Sequence, residues 1–348
     1  MRIGVINWDS SLPPETYFGG YTSRALSPER YRARIPYYAD ITKEGNVVFP
    51  RKDAESVGRE LQYAVDAGID YFAYCWYPEG REAVSAPGLD AQESCVDGIL
   101  WELNHTRKLH TQSLLREKIH LCAILVCMHF YSEADLRALL DAMREPYYET
   151  VSGRPLVYLF GGYRTDYIRC LRALAKDAGM PQPFLVFLNN GPENSADFSE
   201  ADAVCAYACC TREISSFAEM TDGCIEDNER RKKYGIPVLP FFSVGWNPMP
   251  RVDAPVPWTS YPRCSYAEPA SAEEIGTAAA RFRDWMLANR SHILPDAVLT
   301  FAWNEFEEGG YLCPTQNEKG QPDDTRLRAF AAAVRDWRQT MAADAETK

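Results

Sequence analysis

The sequence predicts an α/β fold, a single (β/α)8 TIM barrel spanning residues 1–348 as one domain. Three observations carry this expectation. Eight strand-sized apolar runs recur along the chain, and nearly all of them read as buried on both faces, as parallel strands covered by helices must be. Each run is followed by a helix or by a segment long enough to hold one, and a length of 348 residues falls within the range such barrels occupy. A doubly wound sheet is the alternative, but no Gly-x-Gly-x-x-Gly turn follows the first strand.

The elements follow in order. Residues 2–7 are a short apolar run that leaves through Asn7, Trp8 and Asp9 into a long connection rich in aromatics, including Tyr17, Tyr21, Tyr31, Tyr37 and Tyr38. Helical periodicity then runs over 53–67 through Val57, Leu61, Ala64 and Val65, and Gly68 closes it. A second strand, 69–77, leads past a helix at 94–109 to a strand at 119–128. A helix at 133–143 precedes the strand 155–160, and a helix at 166–178 precedes the strand 184–188, which leaves through Asn189. A short strand at 203–208 and a helix at 216–234 lead to a strand at 238–244, which leaves through Trp246 and Asn247. A long loop at 248–269, a helix at 272–289, a strand at 297–303 and a final helix at 325–340 complete the alternation. Linkers, low-complexity segments and repeats with shared residues are lacking.

Composition narrows the function. A hydrophobic fraction of 46% permits a large core, while no apolar run approaches the ~20 residues of a membrane helix, so no membrane partner is expected. No charged-then-apolar leader opens the chain, and a cytoplasmic location is expected, or export if a signal was removed from a longer precursor. The net charge of -12 and the dispersal of basic residues, with 230–233 the only dense run, exclude a nucleic-acid backbone as partner. Eleven cysteines without a Cys-x-x-Cys pair, several of them inside apolar runs (Cys75, Cys122, Cys127, Cys205, Cys209), read as buried reduced thiols. Five scattered histidines lack a metal-ligand spacing, so neither metal nor other cofactor is expected.

In a barrel of this kind the active site lies at the carboxyl ends of the strands. The residues there are Trp8 and Asp9, Trp76 and Tyr77, His129, Asn189 and Asn190, Tyr207, Trp246 and Asn247, and Trp303 through Glu308. This set is aromatic and amide-rich, which suits a carbohydrate: flat rings face pyranose C–H groups while Asn, Asp and Arg fix hydroxyls. Arg251, with Trp258 and Tyr261 on the same long loop, and Tyr311 after the last glycine pair extend the set. Each has a plainer reading. Trp76 and Trp303 could cap the barrel core, His129 could be a satisfied core histidine, Asp9 could cap its loop, and Arg251 could pair with a surface acid.

The last exit is the most informative. The apolar run 298–303 changes within one residue to Asn304, Glu305, Glu307 and Glu308 before Gly309 and Gly310. Three carboxylates in so short a stretch repel one another and require either solvation or a ligand. Glu305 and Glu308 stand three apart, roughly 5–6 Å at Cβ on a helical turn, within reach of one sugar ring. Glu307 should point elsewhere on that turn. An acidic loop is the alternative reading.

The chain resembles the WbsX-like proteins of bacterial polysaccharide loci and the related glycoside hydrolase family 99. The matching stretches are 67–77, 153–160, 177–181, 245–251 and, most specific, Trp303-Asn304-Glu305-Phe306-Glu307-Glu308-Gly309, which is similar to the family's Asn-Glu-Trp-x-Glu-Gly signature. The resemblance implies a barrel glycosidase acting on an oligosaccharide or polysaccharide. By the same match Glu305 is implied as the base that deprotonates the neighbouring 2-hydroxyl, and Glu308 as the acid/base serving the leaving oxygen, with retention through a 1,2-anhydro sugar. Two stretches depart from the pattern. The third strand ends Val126-Cys-Met-His-Phe where WbsX-like proteins tend to carry Trp-Ala-Asn-Glu, and Asn7-Trp-Asp-Ser stands where Pro-Gln-x-His is usual. Two other readings stay open, a glycosyltransferase of polysaccharide biosynthesis and a carbohydrate-binding barrel without activity; against the former, no Asp-x-Asp motif with clustered Arg or Lys stands at a strand exit.

Overall fold

The computed structural model describes residues 1–78, 100–127, 131–161, 164–189, 198–211 and 213–346. Eight parallel strands form the central sheet: β1 (Arg2–Asn7), β2 (Tyr71–Trp76), β3 (His120–Val126), β4 (Arg154–Phe160), β5 (Phe184–Leu188), β6 (Ala203–Cys205), β7 (Phe241–Ser243) and β8 (Ala297–Phe301). They pair in chain order from β1 to β6, and β8 lies between β7 and β1, with Gly4 of β1 opposite both Leu299 and Tyr71. The seam between β6 and β7 closes just before β7. There Val204 bridges Val238 in parallel, and the Leu239 N–H donates to the Val204 carbonyl at 2.9 Å. This is the (β/α)8 barrel that the alternation predicts. Pro240 has no N–H to offer the ladder, which is why the strand expected over 238–244 is a regular one only at Phe241–Ser243.

Helices cover the sheet because their apolar stripes have no other place to go. They are α1 (Tyr17–Leu26), α2 (Ala54–Asp66), α3 (His105–Gln112), α4 (Glu133–Met143), α5 (Thr165–Asp177), α6 (Phe217–Arg231), α7 (Met249–Asp253), α8 (Ala272–Ala288) and α9 (Thr325–Glu346). Four begin with reciprocal capping boxes, Asp53 with Ser56, Ser132 with Asp135, Ser216 with Glu219 and Ser271 with Glu274, which satisfy the first free N–H groups. Inside the barrel the phenols of Tyr71 on β2 and Tyr158 on β4 meet at 2.8 Å across the intervening β3.

Several boundaries differ from expectation. The connection after β1 contains α1, which the sequence reading passed over. Thr16 caps it by accepting from the Gly19 N–H at 3.1 Å, but Gly19 and Gly20 lower its intrinsic propensity. Gly19 is required there, since a Cβ would lie 2.2 Å from the Leu12 carbonyl oxygen. The helix expected at 94–109 is seen as a 3-10 turn, Leu100–Asn104, followed by α3, and its first residues lie outside the described ones. The long loop 248–269 opens with the short helix α7, and the last helix runs on to Glu346.

The amino ends of the strands are tied by charge. Arg2 donates from Nε to Glu149 at 2.9 Å and lies 3.3 Å from Asp70, which Arg338 also contacts at 2.5 Å. Among the described residues no helix is long and apolar enough to cross a membrane. Cys75, Cys122, Cys205 and Cys209 are buried free thiols, and Cys127 is partly buried.

Candidate active site

The carboxyl end of the barrel is organised by the chain leaving β8. Pairing in the sheet stops at Phe301, and the Trp303 N–H then reaches across to the Ile6 carbonyl at 2.7 Å. Asn304 fixes the next step. Its Oδ1 accepts from the Trp8 N–H at 2.9 Å and its Nδ2 donates to Asn7 at 3.1 Å, so the exits of β8 and β1 are joined side by side. Asn304–Glu305 then pairs antiparallel with Gly310–Tyr311, and a 3-10 turn, Phe306–Glu308, closes the hairpin.

That turn needs its glycine. Gly309 has a φ of 78°, and a Cβ there would stand 2.8 Å from the Asn247 N–H nitrogen. Gly245, after β7, lies so close that its own Cβ would meet the Gly309 carbonyl oxygen at 2.3 Å. The approach lets the Asn247 N–H donate to the Glu308 carbonyl at 2.5 Å. Two strand exits are thereby locked together beneath the acidic side chains.

Glu305 and Glu308 are both nearly buried, at 2% and 5% exposure, and they share one guanidinium. Arg251 of α7 lies 3.3 Å from Glu305 through Nη2 and contacts Glu308 through Nη1. Adjacent nitrogens of a planar group thus hold the two carboxyls side by side. Arg251 itself rests over the Trp8 ring, 4.8 Å from its centroid. Each carboxyl also has a phenol: Tyr207, beyond β6, donates to Glu305 at 3.0 Å, and Tyr261 donates to Glu308. Behind Tyr207 stand the Phe160 ring, stacked at 4.2 Å, and the Cys75 thiol at 3.4 Å.

Burial dominates the electrostatics. It pushes the Glu305 carboxyl well above the usual carboxylate range, with the charges of Glu308 and Glu307 adding and Arg251 and Tyr207 opposing. Glu308 is raised for the same first reason, against the pull of Arg251 and Tyr261. Arg251 stays firmly cationic, because three carboxylates outweigh the cost of its burial.

The long excursion after β7 forms one wall. Asn247 donates from Nδ2 to Ala267 at 3.3 Å, and its carbonyl accepts from Arg34 at 2.7 Å. Asp253 is held by Arg30, Tyr31 and Arg263. Trp258 sits among the rings of Trp8, Phe18 and Tyr21 at centroid distances of 5.9, 5.2 and 5.4 Å, which fastens the excursion to α1.

The remaining predicted residues take varied places. Trp246 is 2% exposed, with its indole N–H on the Ser265 carbonyl at 3.1 Å and its ring 5.4 Å from Tyr261; it backs the phenol that meets Glu308. Trp76 lies against Arg107, 3.4 Å from its ring centroid, and the backbone of Tyr77 is clamped by Asn104 at 2.9 and 3.2 Å. Asn189 donates to the Tyr234 hydroxyl at 3.2 Å, and Tyr311 packs 5.5 Å from Phe306 and 4.6 Å from the Arg326 guanidinium. His129 and Asn190 lie outside the described residues.

Two expectations of ligand contact become supporting roles. Trp303 is fully buried and donates to Glu60 at 2.9 Å. Asp9 is turned inward onto Lys52 at 3.2 Å and the N–H of Thr106 at 3.2 Å, and Lys52 in turn meets Glu60 at 3.0 Å. A buried ammonium needs these carboxylates, and Asp9 is one of the two that meet it. Glu307 also differs. It does not turn away from the pair: it has no exposed surface, and its carboxyl lies 3.5 Å from Nη2 of the same Arg251 that Glu305 and Glu308 share. The sequence reading missed Thr22, Lys52 and Glu60. Only the last two left a signal, as charged residues in otherwise regular stretches. Among the described residues no group of His, Cys, Asp or Glu is arranged to hold a metal ion.

No family model matches the chain, and no curated protein does. Solved structures do. Two structures of the family 99 endo-α-mannosidase from Bacteroides thetaiotaomicron, one of them in complex with bis-tris propane, each align with 98% of this chain and 98% of their own. Sequence identity is 13% in both cases, and the TM-scores are 0.58 and 0.59. The fold is therefore shared over the whole length, in agreement with the resemblance read from the sequence.

Proposed function

We propose that this barrel is a retaining glycoside hydrolase acting on an oligosaccharide or polysaccharide, with Glu305 and Glu308 as its catalytic residues. The observation that carries the reading is the arrangement around Arg251: two buried carboxyls on one turn, side by side, both raised by burial, at the carboxyl end of β8. A strongly coupled pair releases its protons in two steps, so one member keeps a proton to give while the other accepts one.

The likeness to family 99 enzymes supports a division of labour. Glu305 takes the proton of the sugar's 2-hydroxyl, and that oxygen attacks C1. Glu308 gives its proton to the departing glycosidic oxygen, leaving a 1,2-anhydro sugar. Water, deprotonated by Glu308, then opens this ring at C1 while Glu305 returns the proton to O2, so the anomeric configuration is kept. Tyr207 and Tyr261 orient the two carboxyls, and Arg251 balances their charge.

The test is a panel of defined glycans, headed by mannose-containing ones because the two similar structures are endo-α-mannosidases, with NMR detection of the first-formed anomer. Retained product from the wild type, and none from Glu305→Gln or Glu308→Gln, is the expected result. Inverted product would overturn the mechanism. Inertness toward every glycan, together with calorimetric binding of a nucleoside diphosphate, would favour the transferase instead.

A further inference from the structure

Glu307 is the member of the acidic run that the reaction above does not use, yet it is the most deeply buried of the three, with no exposed surface. Its Oε1 accepts a hydrogen bond from Thr22 of α1 at 2.9 Å and lies 3.5 Å from Nη2 of Arg251. The same Nη2 serves Glu305 at 3.3 Å, while Nη1 serves Glu308. Among the described residues, Oε2 of Glu307 has no hydrogen-bond partner. A wholly buried carboxylate is costly to keep, and a surface helix supplies a hydroxyl to hold it in place.

The guanidinium is therefore held by three carboxyls. Nη1 meets Glu308, and Nη2 is shared between Glu305 and Glu307. We propose that Glu307 is a positioning residue: held by Thr22, it fixes Arg251 between Glu305 and Glu308 and so governs the charge that the pair presents to a substrate. The inference rests on the glycosidase reading of the pair. Among the described residues, the other titratable groups facing this cluster are Tyr207 beyond β6, Cys75 on β2, Cys210, and Tyr261 from the excursion after β7.

The sign follows from charge. A carboxylate at Glu307 repels charge on the other two and draws Arg251 away from them, so both effects hold protons on the pair. Glu307→Gln removes both. The pH–activity profile should then move as a whole to lower pH, by about one unit for a like charge this close, with little change in KM. Glu307→Asp, which keeps the charge, should restore the position of the profile. Thr22→Val, which removes the hydroxyl but not the carboxylate, should give a smaller displacement in the same direction.

The experiment compares wild type and these three variants in two ways: pH–rate profiles on a glycan the wild type cleaves, and an infrared titration of the protonated carboxyl band, assigned with Glu305→Gln and Glu308→Gln. A Glu307→Gln profile lowered in height but unmoved in pH, with an unmoved infrared titration, would overturn the proposal. The infrared arm needs no turnover, so it separates the two claims. An inert protein whose carboxyl band still shifts loses the glycosidase reading and keeps Glu307's control of the pair. If Glu307→Gln fails to fold, Thr22→Val carries the test alone, and an unmoved profile and band in it count against the proposal.

Discussion

Tyr261 and Glu308 lie 47 residues apart, on the excursion after β7 and the turn after β8, and the phenol donates its hydrogen bond to the carboxyl. The bond favours the ionised form of Glu308, because an acceptor oxygen gains most when it carries the charge. Tyr261→Phe should therefore raise the Glu308 pKa further. Because the two carboxyls titrate as a coupled pair, the pH–rate profile should move to higher pH. This is the opposite direction to Glu307→Gln, so the two variants check each other.

The two catalytic roles should separate by leaving group. Glu308→Gln is expected to abolish turnover of glycosides with poor leaving groups and to spare part of the activity on an activated aryl glycoside, whose departure needs little protonation. Glu305→Gln should be severe on both, since the attack it assists accompanies either departure. Parallel kcat/KM measurements on the two substrate types read the difference directly.

Lys52 holds two carboxylates, and all three groups are nearly fully buried. Lys52→Met leaves Asp9 and Glu60 facing each other without a counter-charge, and loss of one partner from a buried ion network typically costs about 3–5 kcal/mol. Urea unfolding at neutral pH should show that loss. A variant that unfolds at the wild-type midpoint would mean that Asp9 and Glu60 are satisfied without the ammonium.

His110 gives a pH signature remote from the site. It is buried against the Tyr74 hydroxyl at 3.1 Å and the Ile119 carbonyl at 2.9 Å, and burial lowers its pKa from 6.5 to about 4. A base with a depressed folded pKa binds fewer protons in the native state. Its share of stability is present above pH 6.5 and is lost as the pH falls toward about 4. Wild type minus His110→Gln should isolate this term, a decline of roughly 3 kcal/mol across that window.

Much of the barrel could be read from the sequence because its strands are short apolar runs separated by strongly periodic helices; α2, α4 and α5 appear within one residue of expectation. What escaped was decided by contacts between distant segments. Helix α1 was hidden by Gly19 and Gly20, which are poor helix formers but admit the Leu12 carbonyl. Asp9 and Trp303 look like exit residues ready for a ligand, and only Lys52 and Glu60, arriving from α2 and the segment before it, turn them inward. Glu307 reads as a bystander by its place on the turn. Its buried carboxyl is met by Thr22, on the helix that the sequence concealed.

The junction of Asn7 and Asn304 spans 297 residues. At a ribosomal rate of about 5–20 residues per second, one partner waits roughly 15–60 s for the other. During translation the early strands are therefore present without the segment that completes their pairing, and Arg251 emerges before any of the three glutamates that balance it. Assembly of the acidic cluster thus reports a barrel whose eighth strand has been made. Fragments released early would lack the cluster while exposing the apolar edge of β1, the kind of surface on which chaperones and proteases act.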